Sequence, residues 1–163
     1  MALKPKGLIT SYSTGLCKEL ESEIARILED MAKHLNSDAA GFAMVNDDES
    51  IGYCALYNVV NYLGKLTVSK GIDVVGMVLA TKKPIIIDDY PSFSKAVSAW
   101  VQIGTRSVAS VSVLIEGRLA GAVTVLSINK KRHFSQDDIE EIERYAEKII
   151  ALLELAKRKT AGH

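Results

Sequence analysis

The stretch Lys82–Phe93, KKPIIIDDYPSF, runs an apolar triplet straight into two carboxylates and two aromatic rings. Two readings fit such an exit from a buried strand. Asp88, Asp89, Tyr90 and Phe93 can border a pocket, with Asp88 ahead of Asp89, or the acids can be solvated and cap the next element. Trp100, Arg106, Ser107 and Ser110 follow within a short span. The Arg106 guanidinium is a planar fork of donors suited to a carboxylate, nitrate or phosphate, and the two hydroxyls can add to it. The same guanidinium can instead pair with Asp88 or Asp89. Trp100, the single tryptophan, serves either as a core anchor or as a cap over a ligand.

Other chemistries find no support. A metal site needs clustered ligands, whereas His34, His133 and His163 are scattered and neither Cys17 nor Cys54 belongs to a CxxC pair. Two cysteines do not make a disulfide framework and fit a reducing compartment. No metal and no cofactor is expected.

The elements that must position these residues follow from periodicity. Leu16, Leu20, Ile24, Ile27, Leu28, Met31 and Leu35 recur at steps of three and four, which predicts an amphipathic helix over Thr14–Leu35. GFAMVND reads as a short strand and NDDES as a turn. IGYCALY is a second strand, with Ile51, Tyr53 and Ala55 on one face. NVVNYLGKLTVSKG is read as strand and loop. Residues 71–81 form a short helix, PIIID a buried strand, and Ser92–Ile103 another short helix with serine at its N-cap. Two β-branched runs flank the turn Glu116-Gly117-Arg118, a hairpin in which Gly121 signals close backbone approach. The last helix starts at the Ser135 cap. Asp137 and Asp138 favour its positive end, and Lys157, Arg158 and Lys159 its negative end.

Helix, two or three strands, short helix, strand, short helix, hairpin and long helix make one α+β domain with an antiparallel sheet. Its span is 1–163, with an N-terminal extension over 1–13 and a charged tail over 156–163. At 163 residues and 48% hydrophobic the chain can bury a substantial core. Twenty basic side chains balance twenty acidic ones, leaving no net field for nucleic acid or an anionic membrane. No apolar run is long enough to span a bilayer and the N-terminus lacks a signal-peptide core, so a cytoplasmic location is expected.

The segments GIDVVGMVLATKKPIIIDDY, AWVQIGTRSVASVSVLIEGRLAGAVTVLSIN and FSQDDIEEIERYA together resemble a GAF domain, across nearly the whole chain. Ser112 stands where the family often has proline. The resemblance implies a sheet of about six antiparallel strands, two long terminal helices on one face, and short helices and loops enclosing a ligand pocket on the other. It implies a sensory or regulatory domain, not an enzyme, that binds a small molecule of unknown identity, forms a homodimer through its terminal helices and passes a signal to a downstream protein. A ligand-free dimerisation or scaffold module is the alternative. GAF-like bilin receptors need a cysteine in the covering segment, which SFSKAVSAWVQIG lacks. GAF-like free methionine sulfoxide reductases need several cysteines around the pocket, and here only Cys54 is placed to approach it. The phosphodiesterase-type pattern is partly matched by Asn129, Lys130, Phe134 and Asp138, but Ile139 replaces its glutamate, and helix capping explains the same residues.

Overall fold

The computed structural model describes residues 14–46, 49–59, 67–68 and 73–161. In chain order these form α1 (Thr14–His34), β1 (Ala39–Val45), β2 (Ile51–Tyr57), β3 (Thr67–Val68), α2 (Asp73–Thr81), β4 (Ile85–Ile87), a 3-10 turn (Tyr90–Ser92), α3 (Ser98–Gln102), β5 (Thr105–Ile115), β6 (Arg118–Ile128) and α4 (Gln136–Ala161). The strands pair antiparallel in the order β3-β2-β1-β6-β5-β4. This is the expected α+β architecture. Most of the 58–71 strand-and-loop reading and the 1–13 extension lie outside the described residues.

The β5–β6 hairpin is the spine of the sheet. Glu116 and Gly117 both take left-handed backbone, with φ 53° and 78°, the pairing that a primed two-residue turn requires between right-twisted strands. At Gly121 a Cβ would collide with the Ala43 carbonyl, so glycine there lets β1 lie close against β6.

Alternation along the strands sends neighbouring side chains to opposite faces. One face is covered by α1 and α4. Ile24, Leu28 and Met31 meet Ile142, Ile149 and Leu153 over Phe42, Val111, Val123 and Val125, all buried. The other face is covered by α2, the 3-10 turn and α3, whose Val74, Val78, Tyr90 and Trp100 rest on Ala43, Val108, Ala122 and Leu126.

The start of α4 is a capping box. The Asp138 backbone N–H donates to Ser135 Oγ at 3.3 Å and the Ser135 N–H to Asp138 Oδ2 at 2.8 Å. Arg132 reaches the same carboxylate through both terminal nitrogens, at 3.0 and 3.3 Å, and its guanidinium lies 4.5 Å from the centre of the buried Phe134 ring. Hydrogen bonds from Arg132 and Ser135 hold the Asp138 carboxyl below its ordinary range. Phe134 and Asp138 thus have structural work that explains their presence. The helix continues to Ala161, through most of the segment expected as a tail, because Ala-Lys-Arg-Lys are good helix formers and the basic residues suit its C-terminal end.

Three further expectations are corrected. The single helix over Ser92–Ile103 is instead a 3-10 turn and a five-residue helix. The Tyr90 hydroxyl accepts from the Val97 N–H at 2.9 Å, so the helix starts there, while Ser92 Oγ donates to Asp89 Oδ2 at 3.0 Å. Ala55 does not share a face with Ile51 and Tyr53. The β1–β2 register shifts between Phe42 and Ala43, which pair with Ala55 and Tyr53, so Cys54 is the extra residue of a bulge. Both Cys54 and Ala55 pack on the α1 side. Finally, the cysteines are not free thiols. Cys54 is disulfide-bonded to buried Cys17 of α1, with Cα atoms 5.5 Å apart.

Candidate functional site: an aromatic cavity over the sheet

Between the sheet and the short helices lies a cavity of about 20 Å³, room for a water but not for an amino acid. Its floor is Gly41 of β1, Tyr53 and Leu56 of β2, Val108 of β5, and Thr124 and Leu126 of β6. Its roof is Asp73, Val74 and Val75 at the start of α2, Tyr90 of the 3-10 turn and Trp100 of α3. Local sequence explains the roof. Pro91 follows Tyr90 and fixes the first turn of the 3-10 segment, and the apolar DVVGMVL run lays α2 flat on the sheet with Val74, Val75, Val78 and Leu79 buried.

Asp73 is the unusual member, a carboxylate only 4% exposed. Its backbone is left-handed, φ 62°, a conformation uncommon outside glycine but tolerated by aspartate. Tyr90 donates its hydroxyl to Asp73 Oδ1 at 2.5 Å. That oxygen of Tyr90 therefore bridges two things, the Asp73 carboxylate and the Val97 N–H that starts α3. Burial pushes the Asp73 carboxyl above its ordinary range, only partly offset by hydrogen bonds from Tyr90 and the Val74 backbone. Burial first, and the neighbouring carboxylate second, push the Tyr53 and Tyr90 hydroxyls up as well, so both stay protonated. Tyr53 and Trp100 meet edge to face, ring centres 5.7 Å apart, a favoured aromatic geometry.

The residues singled out from sequence divide into two groups. Tyr90 and Trp100 line the cavity. Phe93 is half-buried beside it, its ring 6.1 Å from that of Tyr90. Ser110 stands beside the cavity on β5, opposite Thr124, its hydroxyl 2.8 Å from that of Thr124 and donating to the Val123 carbonyl at 3.2 Å. The others are elsewhere. Asp88 is exposed with His133 Nδ1 at 3.5 Å; Asp89 is exposed and accepts from Ser92. Ser107 is buried away from the cavity, where its hydroxyl donates to the Asp88 carbonyl and accepts from the Arg132 N–H, both at 3.1 Å. Arg106 is exposed and is not among the described residues lining the cavity. The strand exit at Asp88–Tyr90 does meet the cavity, but through its aromatic residue; the acids face water because Tyr90 turns inward.

Asp73 and Tyr53 were missed by sequence reasoning. A signal for Asp73 was available: it is the single acid in the otherwise apolar run GIDVVGMVLA. Tyr53 was assigned to a strand face with no sign of which side that face would take.

The sheet has this order, with long helices on one face and a cavity beneath short helices on the other, and the GAF domain model matches residues 17–154. The chain belongs to the GAF family. Among solved structures, the GAF domain of a phosphoenolpyruvate-protein phosphotransferase from Coxiella burnetii superposes with a TM-score of 0.76 at 18% identity, covering 87% of this chain and 86% of that one. A type II free methionine-R-sulfoxide reductase from Thermoplasma acidophilum gives 0.72 at 17% identity, covering 85% and 94%. The domain of a putative two-component sensor histidine kinase from Sinorhizobium meliloti gives 0.69 at 13%, covering 87% and 95%. At these identities the likeness is one of fold. No curated protein matches the sequence. Among the described residues no helix is long and apolar enough to cross a membrane, and no cluster of side chains is arranged to hold a metal ion.

Proposed function

We propose that the chain is a sensory GAF domain that binds a small molecule in the cavity between the sheet and α2–α3, and that it regulates rather than catalyses. The observation that carries this reading is the cavity itself: apolar and aromatic walls around one buried carboxylate, the composition of a ligand site. Site residues are then Tyr90, Trp100, Asp73, Tyr53 and Thr124, with Phe93 and Ser110 supporting them. Native mass spectrometry of the gently purified protein tests it. A copurified small molecule lost on Trp100→Ala, with the fold retained, is the expected result; a cavity filled only by water under all conditions favours a scaffold without ligand.

The reductase reading is disfavoured by the cysteines. A thiol reductase needs its thiolate at the substrate, and both cysteines of this chain pack on the α1 side of the sheet, opposite the cavity.

Output would run through α1 and α4. Their outer surfaces form a groove lined by Glu23, Arg26, Ile27, Asp30, Lys148 and Leu152, with Leu155 44% exposed at its end. Acids and bases alternate there, so a second copy related by a two-fold axis can set its acids against the first copy's bases. We assign this groove to a homodimer that presents the signal to a downstream protein. Leu155→Lys should give monomers by light scattering without loss of helicity; a wild-type monomer at tens of micromolar would remove the assignment. We propose a cytoplasmic location, against which the Cys17–Cys54 bond weighs, since disulfides are rare in reducing compartments.

A further inference from the structure

Resting on the cavity as the ligand site, we infer the chemical class of what it takes: a small organic cation, a primary ammonium on a short apolar chain, with its charge against Asp73. Three features point the same way. A buried carboxylate without a counter-ion is costly, and no basic side chain is among the described residues that line the cavity. The Asp73 side chain is held by Tyr90 and the Val74 backbone, neutral donors, and no basic partner reaches it among the described residues. Tyr53, Tyr90 and Trp100 are among the walls of the cavity, and the faces of aromatic rings attract cations. Val75, Val108 and Leu126 suit a short alkyl body. An anion would meet a carboxylate and π-electron density there, both repulsive.

The same geometry supplies a route outward. The Tyr90 hydroxyl ties Asp73 to the N–H of Val97, the residue that caps the start of α3. Helix α3 has five residues and no side-chain cap of its own. An ammonium that takes over the carboxylate competes with Tyr90 for it and loosens the hold on α3. A cavity of about 20 Å³ must widen in some such way to admit a ligand.

The test uses the full chain and three matched series at constant ionic strength: methyl- to butylammonium chloride, the alcohols of equal length, and the carboxylates of equal length. Binding is read from the emission of Trp100, the single tryptophan, and from backbone amide NMR shifts. Saturable binding of an ammonium at least tenfold tighter than its alcohol is expected, with the largest shifts at Val74, Tyr90, Val97 and the Trp100 indole. Asp73→Asn should abolish that preference while alcohol binding persists. Should this variant fold poorly, the wild-type shift map decides alone, and shifts centred away from Asp73 overturn the inference. Binding of the carboxylates or alcohols in preference to the ammoniums overturns the cation class and leaves the cavity reading standing. Silence across all three series overturns both.

Discussion

The two faces of the sheet are built from the same alternating strands but carry opposite kinds of cover. On the helix face, α1 and α4 lay long aliphatic stripes over Phe42, Val111, Val123 and Val125, and the core there is apolar and buried. On the cavity face, short segments hold a void, a buried carboxylate and a hydroxyl with two partners. Long amphipathic helices bury enough area to be stable platforms. A five-residue helix does not, since short helices are marginal by themselves. The cavity side is therefore the easier face to open, and the helix side the one that holds the domain together.

The widest contrast should come from one substitution made on each face. Leu28→Ala, on the helix face, should cost about 4–5 kcal/mol in urea unfolding, whereas Leu126→Ala should cost about 2 kcal/mol, because its space merges with an existing cavity under a yielding α3. Equal losses would mean that the two faces are packed alike.

Reduction of Cys17–Cys54 comes next. The bond closes a sequence separation of 37 residues, and breaking it should lower stability by about 4 kcal/mol. Since it lies under α1, the affinity of a cavity ligand should change less than about twofold. Thermal melts with and without reductant, paired with titration of an ammonium, measure both. A large change in affinity would couple the two faces.

Asp73 sharpens the contrast through pH. Its folded pKa is raised by burial, so the folded state holds the proton longer than the unfolded chain. Stability should fall as pH rises from the ordinary carboxylate pKa, about 3.9, to the higher folded value, with a slope of at most one proton. Asp73→Asn should remove this component and melt higher than wild type near neutral pH, even while it loses cation binding. A pH profile identical in both proteins would show that Asp73 is not the cause.

Arg106→Ala should have the smallest effect. The side chain is exposed, and both stability and cavity affinity should stay within about 0.5 kcal/mol of wild type. A loss of anion affinity in this variant would instead revive a surface site at the start of β5.

Element types were largely legible because long periodic stripes and the Glu116-Gly117 turn are local signals. Ser135 with Asp138 marked the α4 start, and Gly121 marked close approach, as the Ala43 carbonyl shows. The site was legible only in part. Tyr90 and Trp100 were found because aromatic residues near a strand exit have few other uses. Asp88 and Asp89 were favoured over Asp73 because they follow an isoleucine triplet, and adjacency in sequence does not report which way a side chain turns.

By itself the sequence determined the α+β order, the hairpin, the two long helices and the family, since each depends on periodicity, turn chemistry or capping within a few residues. Only the tertiary structure decided which face each side chain takes. A one-residue bulge sends Cys54 and Ala55 to the α1 side while Tyr53 faces the cavity. A hydroxyl reaching seven residues along the chain holds the backbone where α3 starts. Asp73 and Tyr90, 17 residues apart, become partners only once α2 and the 3-10 turn are folded onto the same sheet, because a short-range pattern holds no information about contacts that the register of distant strands creates.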